Sequence, residues 1–417
     1  MKFDSSPYLK VFSSRRIAAV TALGFASGLP LSLTGSTLQA WMAVSGVDLR
    51  TIGIFALVGL PYTLKFFWSP LMDRFVPPWL GRRRGWIIIT QVGLMAGISA
   101  MAFSSPLEAT WLLAALAMIV AFTSASQDIV IDAYRTDLLH VKERGAGAAV
   151  FVTGYRVAAL ISGALALILS DHIGWHNTYL LMAGVMGVGI IATLLGPEPE
   201  EKVAPPVNIQ EAVVGPMKDF FSRNSALLLL LLIILYKLGD AYAGALTTAF
   251  LIRGVGFSAS DVGTINKGLG FVSLIVGATV GGAMMVRLRL FRSLLIFGML
   301  QAVSNLSFMA LAWVGKSYGM LMFAVAFENM SGGMGTAAFV SLLMAMCNHK
   351  YTATQYALLS SLAALGRIFI SPTSGYLVEK IGWANFFLIT FFVALPGLWF
   401  LWRLRDVISG LQSETSA

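Results

Sequence analysis

Long apolar runs separated by short polar stretches set the pattern of this chain. A helix that crosses a bilayer needs about 20 mostly apolar residues. Runs of that kind occupy roughly 17–38, 51–72, 86–104, 110–134, 148–170, 177–196, 225–250, 260–285, 292–313, 318–347, 354–376 and 384–403. One polar interruption is longer than the rest. It runs from Gly196 to about Asn224, carries Pro197-Glu198-Pro199-Glu200-Glu201 and Pro205-Pro206, and reads as a linker. Its Glu211–Phe221 portion suits a short helix on the membrane surface. The pattern predicts an all-α membrane protein with 12 transmembrane helices. Residues 1–196 form an N-terminal six-helix bundle, 197–224 a linker, 225–404 a C-terminal six-helix bundle and 405–417 a short polar tail. Arg15 and Arg16 before the first run resemble the start of a signal peptide. That run is long enough to span, and no small-residue cleavage site precedes a soluble domain, so it is expected to stay.

The two halves repeat at an offset of about 210 residues. Gly154-Tyr155-Arg156 corresponds to Gly366-Arg367, Ser162-Gly163 to Ser374-Gly375, and Ile173-Gly174-Trp175 to Ile381-Gly382-Trp383, with Asn177 matching Asn385. Gly46 and Gly53 match Gly256 and Gly263. An even number of spans in each half makes the copies parallel, the arrangement of the two halves of a major facilitator superfamily (MFS) transporter.

Composition supports a lipid setting, with 57% hydrophobic residues, 12% charged and a mean hydropathy of +0.78. The net charge of +9 raises the question of nucleic acid. Topology answers it. Twenty Lys and Arg side chains fall in loops expected on the cytoplasmic side, against only Arg50, Arg253, Lys316 and Lys380 on the other. That bias puts both termini in the cytoplasm and leaves no basic patch for nucleic acid. A single cysteine, Cys347, excludes an internal disulfide, and the four histidines show no ligand spacing, so neither a metal nor a cofactor is expected. No nucleophile–base constellation suggests an enzyme.

Nine ionisable residues fall inside the expected spans: Lys65, Asp128, Asp132, Arg156, Lys237, Asp240, Lys267, Glu328 and Arg367. Each costs about 2.5–3.5 kcal/mol at a lipid-facing mid-membrane position, so they are expected to face protein or water. They occupy the second, fourth, fifth, seventh, eighth, tenth and eleventh spans, which marks those as lining a cavity. The uncharged third, sixth, ninth and twelfth read as outer supports. Gly24, Gly28, Pro30 and Gly35 give the first span a bendable character. Asp128 is the first choice for a proton carrier and Glu328 the second. Arg156 and Arg367, equivalent in the repeat, suit carboxylate or phosphate groups on a solute. Lys237, Lys267, Asp240, Gln127, Asn329 and Tyr236 complete the expected solute contacts. Lys237 and Asp240, three apart, equally suit mutual neutralisation, and Lys65 suits snorkelling. Asp132 with Arg135, and Asp73 with Arg82, Arg83 and Arg84, form the expected inner gate. The excess of basic over acidic groups favours an anionic or zwitterionic solute.

Several longer stretches carry a resemblance: LGFASGLP (23–30), LQAWM (38–42), WSPLMDR (68–74), GRRRGW (81–86), SASQDIVIDA (124–133), ERGAGAA (143–149), LYKLGDA (235–241), FLIRGVGF (250–257) and FENMSGGMGTAAF (327–339). They run almost end to end and resemble the AmpG muropeptide permeases. The resemblance implies an MFS fold and proton-dependent import of anhydro-muropeptides from periplasm to cytoplasm, across the bacterial inner membrane. It further implies a part in cell-wall recycling and β-lactamase induction. Partners on that reading are the muropeptide, protons and the lipid bilayer, with the protein a monomer. An MFS carrier of another anionic solute, such as an acyl-CoA, or of a sugar is the alternative.

Overall fold

The computed structural model describes residues 14–69, 72, 75, 77–139, 144–198, 221, 225–285, 287–346 and 352–414. All regular structure among them is helical. Among the described residues, eight helical stretches are long and apolar enough to cross a membrane: Arg15–Ser45, Arg83–Ala102, Thr110–Arg135, Val150–Leu195, Ala226–Val255, Ala259–Met285, Leu290–Val314 and Ser361–Arg403. A shorter apolar stretch covers Leu49–Leu64. The chain is an integral membrane protein.

The helices of the described residues include α1 (Arg15–Thr34), α2 (Leu49–Ile54), α3 (Gly81–Ala102), α4 (Thr110–Leu138), α5 (Arg144–Leu160), α6 (Ala166–Val185) and α7 (Gly187–Leu195). They continue as α8 (Ala226–Tyr236), α9 (Leu238–Gly244), α10 (Gly270–Met285), α11 (Leu290–Val314), α12 (Tyr318–Ala345), α13 (Thr352–Arg403) and α14 (Arg405–Glu414). The chain breaks inside α6 and α13 at one glycine each. Gly174 has φ 77° and ψ 162°, Gly382 φ 76° and ψ 170°. A Cβ makes that region costly, so glycine is required at both breaks. Past each break an asparagine amide donates back across the turn, Asn177 to the Ile173 carbonyl and Asn385 to that of Ile381, both at 2.9 Å. The Ile-Gly-Trp repeat is thus one turn built twice. Gly46 and Gly256 likewise share a φ of 88°.

The described residues form two compact units, one of 14–45 and 58–198, the other of 46–57 and 221–414. The expected boundary placed 46–57 in the first bundle. Contacts inside the second unit account for the difference. Arg50 pairs with Glu379 at 2.5 Å, and Arg253 donates to the Val47 carbonyl. The Leu49 carbonyl oxygen lies only 1.9 Å from where a Cβ on Gly375 would stand. Most of the expected linker, including the Glu211–Phe221 helix apart from Phe221 itself, lies outside the described residues.

Close backbone approach holds each unit together, as small residues allow between membrane helices. In the first unit Gly24 and Gly28 of α1 and Gly154 of α5 interlock. A Cβ at these positions would meet the carbonyl oxygens of Phe151, Tyr155 and Thr21 at 2.4, 2.4 and 2.3 Å. Gly24 and Gly28 therefore serve packing, and the break in the first span falls at Gly35, where α1 ends. In the second unit Gly277 of α10 and Gly333 of α12 do the same against Met330 and Leu274, at 2.1 and 2.3 Å. The expected polar tail is instead mostly the helix α14. Its Ile408 is fully buried, joining Leu404 in the apolar core of the second unit.

Candidate functional site

The polar centre of the first unit is built where α1 meets α4. Consecutive residues of each helix pair up. Ser27 donates to Oδ1 of Asp128, and the Gln127 amide donates to the Ala26 carbonyl at 3.1 Å. The contact is local in origin: Gly24 and Gly28 flank Ser27 and bring α1 against α5, which fixes the face it turns to α4. Lys65 and Asp132 act electrostatically on Asp128. Tyr62 interacts electrostatically with Asp128 and lies beside Ser124 and Thr34, with the Tyr62 and Ser124 hydroxyls buried and no well-aligned hydrogen bond formed by either. Oε1 of Gln127 is also buried without a partner. Half-satisfied hydroxyl and amide groups around one carboxylate are costly in a dry interior. They are suited to a solute or water that supplies complementary donors and acceptors.

The second unit holds a denser cluster. The helix breaks between α8 and α9 at Lys237, whose Nζ lies 3.6 Å from Oδ2 of Asp240. The same oxygen accepts from the Gln301 amide of α11 at 2.6 Å. Lys267 emerges from a π-helical stretch, Val262–Leu269, a geometry that recurs at functional sites. Glu328 on α12 interacts electrostatically with Asp240, Lys267 and Lys237 and accepts from Asn329 at 2.6 Å. The Asn329 amide also donates to the Val325 carbonyl at 2.9 Å, so its donors are engaged within α12. Four of the expected solute contacts, Lys237, Asp240, Lys267 and Asn329, therefore gather around Glu328, the second-choice proton carrier, together with Gln301, which the charge pattern passed over. An uncharged polar residue on an uncharged span gave no signal except its position in the repeat.

Other predicted residues separate. Arg156 and Arg367 are exposed on the helices of their own units. Asp132 pairs with Arg135 at 3.1 Å, and the Arg135 guanidinium lies 4.4 Å over the Phe151 ring. Arg83 joins Asp137 at 2.9 Å, both side chains 13% exposed. Arg84 donates to the Thr193 and Leu194 carbonyls at 2.9 and 3.0 Å, satisfying the end of α7 where a helix leaves carbonyls unpaired. Asp73 and the side chain of Arg82 lie outside the described residues. Tyr236 lies in the apolar core, its ring stacked on Phe339 and its hydroxyl donating to the Leu294 carbonyl at 2.8 Å.

Known proteins give the same fold. The Major Facilitator Superfamily pattern matches residues 20–366. A peptide transporter of the POT family, solved with sulfate, superposes with a TM-score of 0.73 at 13% identity, covering 95% of both chains. A bacterial homologue of the lysosomal transporter Spinster, in an inward-facing and unoccupied conformation, gives 0.72 at 13% identity over 96% of this chain and 98% of its own. These structures support the fold alone. Sequence goes further. The anhydromuropeptide permease of Escherichia coli K12 is 54% identical over 405 residues, 97% of this chain and 82% of that protein. The chain belongs to the Major Facilitator Superfamily and, within it, to the family of the anhydromuropeptide permeases.

Proposed function

We propose that this protein imports anhydro-muropeptides, N-acetylglucosaminyl-anhydro-N-acetylmuramyl sugars with or without peptide, from periplasm to cytoplasm in symport with protons. The observation that carries the reading is the pair of buried polar clusters, one in each unit, inside helices apolar enough to span a membrane. Ionised groups at that depth are expensive unless they serve water, a solute or each other. The chemistry matches a muropeptide. Tyr62, Ser124 and Gln127 offer hydroxyl and amide partners for sugars, while Lys237, Lys267 and Asp240 offer charges of both signs for a peptide stem. Arg156 and Arg367 meet its carboxylates.

On this reading the fold has twelve spans in two six-helix bundles, and both termini lie in the cytoplasm of a bacterium's inner membrane, where the protein works as a monomer. Asp128 carries the proton, with Glu328 as the second choice. Protonation weakens the bond that Asp128 accepts from Ser27 by removing its charge, which couples the carboxyl group to the position of α1. Asp132 with Arg135, and Asp73 with Arg82, Arg83 and Arg84, form the cytoplasmic gate. Alternating exposure of the two clusters completes the cycle.

Proteoliposomes test this directly. An imposed inward proton gradient drives accumulation of labelled anhydro-muropeptide, and a protonophore abolishes it. Asp128→Asn retains exchange of labelled for unlabelled solute but loses gradient-driven accumulation. Full proton-driven uptake by that variant removes Asp128 from the role.

A further inference from the structure

We propose that Gln301, on a helix whose sequence marks it as an outer support, is a positioning residue for transport. It holds Asp240 in one orientation beside Lys237 and so sets how the charged cluster of the second unit meets the solute. The proposal rests on reading that cluster as the solute site.

Gln301 sits in the middle of α11, 5% exposed. An amide buried there is costly unless it finds a partner. Its partner is a carboxylate, at 2.6 Å, on the oxygen that also faces Lys237. Oδ2 of Asp240 is thus held from two sides, by a neutral donor and a charged one, and Oδ1 takes part in neither contact. A passage in α12 makes room for the amide. A Cβ on Gly335 would stand 2.1 Å from Oε1 of Gln301 and 2.4 Å from its Cδ, so no other residue fits there without displacing the amide. Gly332 and Gly335, three apart on α12, clear the face beside the Gln301 amide, whereas Gly333 turns to α10.

The internal repeat supplies a comparison inside the same molecule. Gln91 lies 210 positions before Gln301, at the repeat's own offset, on the corresponding helix α3. It too is fully buried and has its own glycine notch, since a Cβ on Gly189 would stand 2.0 Å from Nε2. Neither Nε2 nor Oε1 of Gln91 forms a hydrogen bond. Pro30 stands 210 positions before Asp240. Both halves therefore carry the glutamine, but the glycine beside it lies on α12 in the second and on α7 in the first, and only the second supplies the carboxylate. If Gln301 merely filled space it would resemble Gln91. Its charge-assisted bond to Asp240 sets it apart.

The test uses the full chain in proteoliposomes with labelled N-acetylglucosaminyl-anhydro-N-acetylmuramyl peptide. Gln301→Met keeps the length and removes the amide. A hydrogen bond to a charged group is worth enough for about a tenfold change in an equilibrium, so KM for uptake rises about tenfold. On an Asp240→Asn background the same substitution shifts KM less than about twofold, because the two residues act as one unit. Gln91→Met leaves uptake within about twofold of the parent. Equal losses with and without the Asp240 carboxylate, or an unchanged KM, overturn the proposal. Should Gln301→Met fail to accumulate folded, Gly335→Ala evicts the amide by occupying its place, and a wild-type KM there overturns it equally. An infrared band of the Asp240 carboxylate, identified by its loss in Asp240→Asn, separates this proposal from the transport reading. It shifts in Gln301→Met whether or not the muropeptide is the solute, and an unmoved band refutes the contact.

Discussion

A single methyl group at Gly154 tests whether backbone contact between α1 and α5 holds the first unit together. In an ordinary helix Gly→Ala is favourable, because alanine forms helix better than glycine by about 1 kcal/mol. Here the new Cβ falls 2.3 Å from the Thr21 carbonyl oxygen and 3.0 Å from the Phe25 nitrogen. Both are backbone atoms and neither can rotate away, so the helices must separate by about 1 Å. A gap of that size forfeits a quarter to a half of the dispersion energy of each contact it opens. It also loosens the approaches at Gly24 and Gly28. Overpacking costs about 1–3 kcal/mol, and a backbone clash belongs at the upper end, so Gly154→Ala loses about 2 kcal/mol net. Gly184→Ala in α6 is the control, since nothing lies within 4 Å of its added Cβ. That variant is neutral or gains up to about 1 kcal/mol. Thermal unfolding in detergent separates the two by several degrees, and uptake falls in Gly154→Ala because Arg156 stands two residues along. Equal melting temperatures would refute the packing argument.

Two further outcomes follow from contacts nearer the membrane surface. Removing one partner of the Arg83–Asp137 pair leaves a nearly buried charge, so Arg83→Met or Asp137→Leu alone lowers stability by about 2–4 kcal/mol. The double variant recovers much of the loss in a thermal double-mutant cycle, whereas additive losses would deny the coupling. Asp48 caps α2 by accepting from the Thr51 backbone and hydroxyl at 2.9 and 2.6 Å. Partial burial raises its pKa, but the hydrogen bonds from Thr51 and the backbone outweigh burial and hold the carboxyl below its ordinary value. A lowered folded-state value gives stability that is present above the unfolded value, near 3.9, and lost as pH falls through the folded one. Asp48→Ala therefore costs about 1 kcal/mol at pH 7, and the gap to the parent narrows as pH falls below the ordinary carboxylate range. A gap that stays constant as pH is lowered contradicts the assignment.

Local features were readable from the chain and distant partners were not. Spacing placed Lys237 with Asp240 and Asp132 with Arg135, because residues three apart share a helix face. The repeat located matching turns at Gly174 and Gly382, since a demanding backbone conformation leaves a residue-level trace. Arg83 and Arg84 were another matter. The sequence grouped them with Asp73 by proximity along the chain. Packing of α3 against α4 and α7 brought Arg83 to Asp137 and Arg84 to the carbonyls that end α7. Tyr236 was an expected solute contact in sequence, yet its hydroxyl found the Leu294 carbonyl, 58 positions away, in an apolar core. Gln301 was invisible to a count of charges because its significance lies in what it reaches. Alternation of apolar and polar residues reports which face is buried; it carries no information about which buried polar atoms will meet.

Solvent access at the two repeat-related arginines tests the central claim most directly. In a background with Cys347, the single cysteine, replaced by serine, a charged, membrane-impermeant thiol reagent is applied to Arg156→Cys, Arg367→Cys and Ile119→Cys. Ile119 is exposed on α4 nine residues from Asp128, half a turn round the helix from it, and so faces away from the polar centre. The account predicts that both former arginine positions react, that anhydro-muropeptide slows the reaction at each, and that Ile119→Cys stays unmodified. Arginine positions as inert as Ile119→Cys would place those charges against lipid and contradict a water-filled transport pathway.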